Sequence, residues 1–312
     1  MNSDDNALRS ELPERPAVAE PAAAAPQFTA EPAAFGDPFQ SAPVSRAPAD
    51  EPPLRGRPLP EDLRVPWDWI DIGILILVAF LGSVIAWPLI APFLKLVGIS
   101  AAYIRKSPSA MGVIAVSAQI LLDFGLLAYL AAQMRLRFHA PFWRTIGWRP
   151  IETRSPGRVL PYLALALGGF SLAAVVAFAE AIFPPKHALP IQTVTQNPHA
   201  ALLFMLSAVL VAPVVEETIF RGYLYPVAAR SFGVGMGILL TGTLFGLLHA
   251  GQLWGGWWQI ALLVFVGIIF TAARAASRTV VASYILHATY NALPVIAALL
   301  SSVRLRHGGA GH

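Results

Sequence analysis

The chain contains no cysteine in 312 residues, which removes disulfide frameworks, thiol nucleophiles and cysteine-ligated zinc from consideration. Charge is scarce as well. Asp, Glu, Lys and Arg make up 13% of the residues against 56% hydrophobic, and the mean hydropathy is +0.59, outside the balance of soluble domains. An integral membrane protein is expected. The net charge of +4 comes mostly from arginines that flank apolar runs, a pattern of membrane topology. No basic patch interleaved with aromatics supports nucleic-acid binding.

Residues 1–66 hold 13 of the 27 prolines with no apolar periodicity, so the segment cannot bury enough surface to offset its ordering entropy. A disordered Pro/Ala-rich tail is expected there, followed by a membrane domain over 67–303 and a short tail over 304–312. The acidic, proline-broken opening MNSDDNALRSELPERP does not read as a secretory signal, so the first membrane helix is expected to direct insertion. From Trp69 onward seven apolar stretches are long enough to span a bilayer, at about 20 residues each: 69–97, 111–134, 159–183, 199–229, 233–250, 256–274 and 279–303. The fold class expected is all-α, a polytopic membrane helix bundle.

Seven crossings place Arg55, Arg57 and Arg64, the six arginines between Arg135 and Arg158, Arg230, and Arg274 with Arg278 on one side. That side holds twelve positive charges, and the other holds six (Lys95, Arg105, Lys106, Lys186, Arg304 and Arg306). The positive-inside bias puts the N-terminus in the cytoplasm of a cell that carries this protein in its inner or plasma membrane.

Carboxylates almost vanish after Asp68. Six remain: Asp71, Asp123, Glu152, Glu180, Glu216 and Glu217. Asp71 suits the start of the first helix electrostatically, Glu152 is in a loop and Glu180 is near a helix end. Asp123 lies deeper and is expected to make an interhelical hydrogen bond. Of seven histidines only His249 and His287 sit inside apolar segments. An ionisable group in a bilayer costs about 2.5–3.5 kcal/mol even on lenient scales, so two Glu and two His buried this way call for a shared polar site.

Spacing sharpens the expectation. Glu217 and Arg221 are four apart on one helical face, favouring an ion pair, and Glu216 is turned about 100° from Glu217, so the two cannot do the same job. Phe245 and His249 share a face, as do His287 and Asn291. Gly222, Gly242 and Gly246 allow close helix approach. A carboxylate in a pocket of low dielectric is a competent base toward water, and imidazole or carboxamide N–H groups aimed at an oxyanion stabilise a tetrahedral transition state. These are the parts of a water-activating amide hydrolase. No GxSxG elbow favours serine catalysis.

Glu216-Glu217-x-x-x-Arg221, Phe245-x-x-x-His249 and His287-x-x-x-Asn291, in this order on successive membrane helices, resemble the CAAX-processing and bacteriocin-processing intramembrane endopeptidases, the family that includes the type II prenyl-protein protease. The likeness covers roughly residues 199–303. It implies a helical bundle around a polar cavity in which a water is activated to cut a peptide bond of a peptide or membrane-protein substrate. By the same resemblance Glu216 is the base helped by His249, His287 and Asn291 bind the oxyanion, Glu217 and Arg221 support them, and Phe245 packs the site. Metal dependence stays open. Glu216, His249 and His287 would give a His2Glu set for a divalent ion such as zinc, drawn from three helices without the HExxH template.

Two rival readings stand beside this one: a non-catalytic membrane immunity or scaffold protein that binds a peptide partner, and a transporter, for which no inverted repeat is evident. A geometric difficulty also stands. At about 1.5 Å per residue, straight helices starting at Arg230 and Arg278 do not bring Glu217, His249 and His287 to one depth. Either the fifth span begins later and tilts, or Pro226 ends the fourth inside the membrane.

Overall fold

Helix with no strand makes up the regular structure of the described residues, which are 60–96, 107–152, 159–185 and 198–308 of a computed structural model. The long elements are α1 (Trp69–Leu96), α2 (Pro108–Leu136) and α4 (Leu160–Ile182), with the short α3 (Phe142–Ile146) between the last two. The rod α5 follows, assembled from α-helical pieces Pro198–Leu206, Ala212–Glu217 and Tyr225–Phe232 joined through π-helical turns at Ser207–Val211 and Thr218–Leu224. Then come α6 (Val234–Leu248), α7 (Trp257–Ser277) and α8 (Val280–Gly308). Among the described residues, seven helical segments are long and apolar enough to cross a membrane: Trp69–Ala86, Ala110–Leu136, Leu160–Ile182, Ala201–Phe232, Val234–Gly251, Trp257–Ser277 and Val280–Ala297. They agree with the seven stretches read from hydropathy, and the chain is an integral membrane protein.

The tail expected over 1–66 falls outside the described residues up to 59. Residues 60–66 differ from it: Glu61–Leu63 forms a 3-10 turn, Leu63 is buried with Tyr225 and Ala229, and Trp67 beyond it stacks on Tyr223 with centroids 4.8 Å apart. The prolines around this stretch hid two apolar anchors, Leu63 and Trp67, that dock on the last turns of α5. At the other end, α8 runs on to Gly308, past the helix end read at 303.

The spans are mostly apolar on every side, so small residues decide where the helices approach most closely. On the α6–α7 contact a Cβ at Gly242 would lie 2.5 Å from the Ile268 nitrogen, and one at Gly246 would lie 2.6 Å from that of Val264. Two glycines one turn apart thus let the backbones meet, and dispersion between them replaces the hydrophobic drive that lipid removes. Gly169 does the same for α4 against Leu286 and Thr289 of α8, and Gly222 for α5 against Ile146 of α3. The opposite faces carry exposed Ile76, Phe80, Leu167 and Phe178, as a lipid-facing surface requires.

The polar groups at one end tie the loops to the spans. Asp71 at the start of α1 accepts hydrogen bonds from Arg137 and from Gln133 of α2, and Tyr223 donates to Gln133 Oε1 at 2.6 Å. Arg230 donates to the carbonyls of Val65 and Trp67. Arg274 bonds Asp62 at 2.7 Å. The α7–α8 turn is roofed by the loop after α3, with Val280 N–H donating to the Gly147 carbonyl and Thr279 Oγ1 donating to that of Arg149.

Candidate active site

The π-helical turns of α5 present the two glutamates. In each turn the last wide bond runs five residues back, Ala212 N–H to Ser207 O and Tyr225 N–H to Phe220 O, and a proline follows at once, Pro213 and Pro226. A proline has no N–H to give, so it is accommodated where the bonding pattern has already shifted, and α5 continues through Pro226 to Phe232 instead of ending there. The carbonyl of Ala208, five residues before Pro213, receives no main-chain proton from it. Asn291 of α8 supplies one instead, Nδ2 donating at 2.7 Å.

Continuity of α5 also resolves the depth problem. The chain reverses at Gly233, whose φ of 87° is open to glycine, and α6 starts at Val234. Counted from Gly233, Glu217 and His249 are each sixteen residues away, about 24 Å along their helices. His287 lies only eight residues from Thr279, whose hydroxyl ties the α7–α8 turn to the Gly147–Arg149 loop, and its Nδ1 still reaches Glu217 at 2.9 Å.

Glu217 is fully buried. Its Oε1 accepts from Arg221 Nη1 at 2.7 Å and from His287 Nδ1 at 2.9 Å. The Arg221 guanidinium completes its bonding through Nε to Thr271 Oγ1 at 3.1 Å and Nη2 to the Gly267 carbonyl at 2.8 Å. It lies over the Phe245 ring at 4.4 Å, so a buried charge is met by an anion, two further acceptors and a π face. The ion pair expected from the four-residue spacing is formed.

Glu216 points the other way and keeps 22% of its side chain exposed. His249 Nε2 faces its Oε1 and His287 Nε2 its Oε2, each at 3.8 Å. Both imidazoles are oriented from behind. His287 gives its Nδ1 proton to Glu217, and His249 Nδ1 meets the Phe245 carbonyl at 2.9 Å, an acceptor that fixes the proton on that nitrogen. That carbonyl is available because the His249 N–H bonds nearer residues, Gly246 and Leu247, as α6 tightens into the turn His249–Gly251. The two Nε2 atoms are thus free to act toward Glu216. Phe245 and Phe270 hold the rings, Phe245 edge-on to His287 at 5.6 Å and Phe270 stacked on it at 4.9 Å.

Glu216, Glu217, Arg221, Phe245, His249 and His287 therefore form one cluster from α5, α6 and α8, with Asn291 one helical turn from His287. The possible metal ligands Glu216, His249 and His287 lie together, each imidazole facing a different oxygen of Glu216 at 3.8 Å; among the described residues no group of three or more His, Cys, Asp or Glu meets the geometry of a metal site. Asp123, expected to bond across helices, accepts instead from Gln119 of its own helix at 2.8 Å. Sequence reasoning missed Gly267, Phe270 and Thr271. Their signal was the α7 stripe Val266, Gly267, Phe270, Thr271, Arg274, buried at helical spacing, in which a threonine and an arginine interrupt an apolar face.

A seven-span helical membrane protein with a half-open carboxylate between two oriented imidazoles is the class that fold and site define. Residues 198–293 match the family described as type II CAAX prenyl endopeptidase Rce1-like, and this segment holds all three motifs, so the likeness read from them holds. No curated protein and no solved structure matches the chain.

Proposed function

We propose that the chain is an intramembrane endopeptidase in which Glu216 activates water against a peptide bond. The observation that carries the reading is Glu216 itself, a partly exposed carboxylate flanked at 3.8 Å by two imidazole Nε2 atoms whose other nitrogens are already committed. A gap of that length between polar atoms suits a bridging water. The match of residues 198–293 to a prenyl endopeptidase family supports the same chemistry.

In the proposed reaction Glu216 takes one proton of the water while His249 Nε2 accepts a hydrogen bond from the other hydrogen. The water oxygen bonds to the scissile carbonyl carbon, and the π electrons move to the carbonyl oxygen. His287, protonated on Nε2 and held through Nδ1 by Glu217, donates to that oxyanion, together with the Asn291 N–H not taken by Ala208. Collapse breaks the C–N bond, and the proton on Glu216 passes to the leaving amine. Arg221 and Glu217 position and do not touch substrate. The substrate is a peptide or membrane protein reaching the site within the bilayer. The arginine-rich end faces the cytoplasm of a cell membrane, with the N-terminus on that side.

The test is incubation of the purified protein in detergent with a peptide library, comparing wild type with Glu216→Ala and His249→Ala. Loss of cleavage of about 100-fold or more in the first, and a smaller loss in the second, is expected. Unchanged cleavage in both would remove the assignment. Folded Glu216→Gln protein with full biological activity would favour a peptide-binding scaffold.

A further inference from the structure

A cavity of about 320 Å³ opens at the arginine-rich end of the bundle and shares no residue with the Glu216 cluster. Five arginines line it, Arg64, Arg144, Arg149, Arg274 and Arg278, against two carboxylates, Glu61 and Asp62. Among the described residues, five positive and two negative charges leave a net +3. The two acids leave donors of Arg144, Arg274 and Arg278 without an acceptor among the described residues. Arg274 is buried and bonds Asp62 through Nη1 at 2.7 Å, yet its Nε, and Asp62 Oδ1 beside it, have no hydrogen-bond partner among the described residues. Arg149 reaches Glu61 only at 3.6 Å. The side chains of exposed Arg144 and Arg278 pair with none of the described residues.

We propose that this cavity binds a phosphate group, with the headgroup of an anionic lipid as the source its position favours. Guanidinium groups present planar forks of N–H donors that match phosphate oxygens, and a buried N–H without an acceptor is a group that such an oxygen would satisfy. The placement argues for lipid. The cavity lies where α7 turns into α8 and where α3 meets the residues before α1, at the ends of the spans. Trp143 next to Arg144, and Trp69 at the start of α1, are exposed there, as aromatic side chains are at headgroup depth. Basic pockets at the ends of membrane helices hold phosphate headgroups by the same electrostatics. An occupant would bridge the segment before α1, the loop after α3 and the α7–α8 turn, reinforcing the bonds that Thr279 and Val280 make to that loop.

The test uses the full chain in an uncharged detergent and follows the thermal unfolding midpoint with added phosphatidylglycerol, phosphatidylcholine or inorganic phosphate. Wild type should gain stability from phosphatidylglycerol and not from phosphatidylcholine. The R144Q/R278N variant should need about tenfold or more phosphatidylglycerol for the same gain. Asparagine suits position 278 because its φ is 58°, and R144Q alone serves as a second variant should the double one fail to fold. A gain from inorganic phosphate alone, lost in the variants, keeps the phosphate site and assigns its occupant to a soluble anion. No gain from either probe, or an equal gain in the variants, overturns the proposal. The readout needs no hydrolysis, so its outcome is separate from the Glu216 test.

Discussion

Two neighbouring glutamates with opposite surroundings are the smallest unit of the proposed mechanism. Glu217 is enclosed, bonded to Arg221 and His287, and Glu216 is left facing two imidazoles. Glu217→Gln strands a buried guanidinium, and a loss of about 3–5 kcal/mol of stability is expected, seen as a lower unfolding midpoint in detergent. Glu216→Gln, at a site still reached by solvent, should leave that midpoint nearly unchanged. Asn291→Ala leaves the Ala208 carbonyl without its donor and should cost about 1–3 kcal/mol. The four-residue spacings made the Glu217–Arg221 pair and the shared faces of Phe245 with His249 and His287 with Asn291 legible in the sequence, because a helix fixes them locally. Thr271, Gly267 and Phe270 lie on one stripe at helical spacing, but that this stripe meets Arg221 and His287 was not legible, since it depends on which face of α7 packs on α5 and α8. Asp123 was read as a cross-helix donor partner, but Gln119 one turn earlier satisfies it first.

At the scale of elements, small residues and prolines set the geometry. Gly246 sits where a side chain would meet the α7 backbone, so Gly246→Leu should separate α6 from α7. It should abolish cleavage and sharply lower the yield of folded protein, as size-exclusion profiles would show. Alanine at Pro213 restores an N–H that competes with Asn291 for the Ala208 carbonyl. Pro213→Ala should therefore keep or raise the unfolding midpoint while reducing turnover, since Asn291 loses the bond that orients it. Hydropathy made every span legible because a bilayer demands about 20 apolar residues wherever the chain crosses. It could not show that α5 passes through Pro226, because π-helical turns are a response to packing and to the absent proline donor. Nor could it show that Leu63 and Trp67 dock, their neighbours having the composition of a linker.

Arg221 apart, the whole molecule gathers arginines at one end of the bundle, away from the glutamate–histidine cluster. Arg230, Arg274 and the Gly147–Arg149 loop gather where α5 turns into α6 and α7 into α8, and His249 ends α6 about 24 Å from its start. The absence of cysteine allows single-cysteine labelling in intact cells. Ala276→Cys should react with an impermeant maleimide only after permeabilisation, and Gln252→Cys before it; the reverse pattern would invert the proposed orientation. In the proposed reaction Glu216 takes the first proton, and the most direct test is the peptide cleavage rate per folded molecule of Glu216→Gln against wild type. A fall of about 100-fold or more with an unchanged unfolding midpoint is predicted. A rate equal to wild type in folded protein would contradict it.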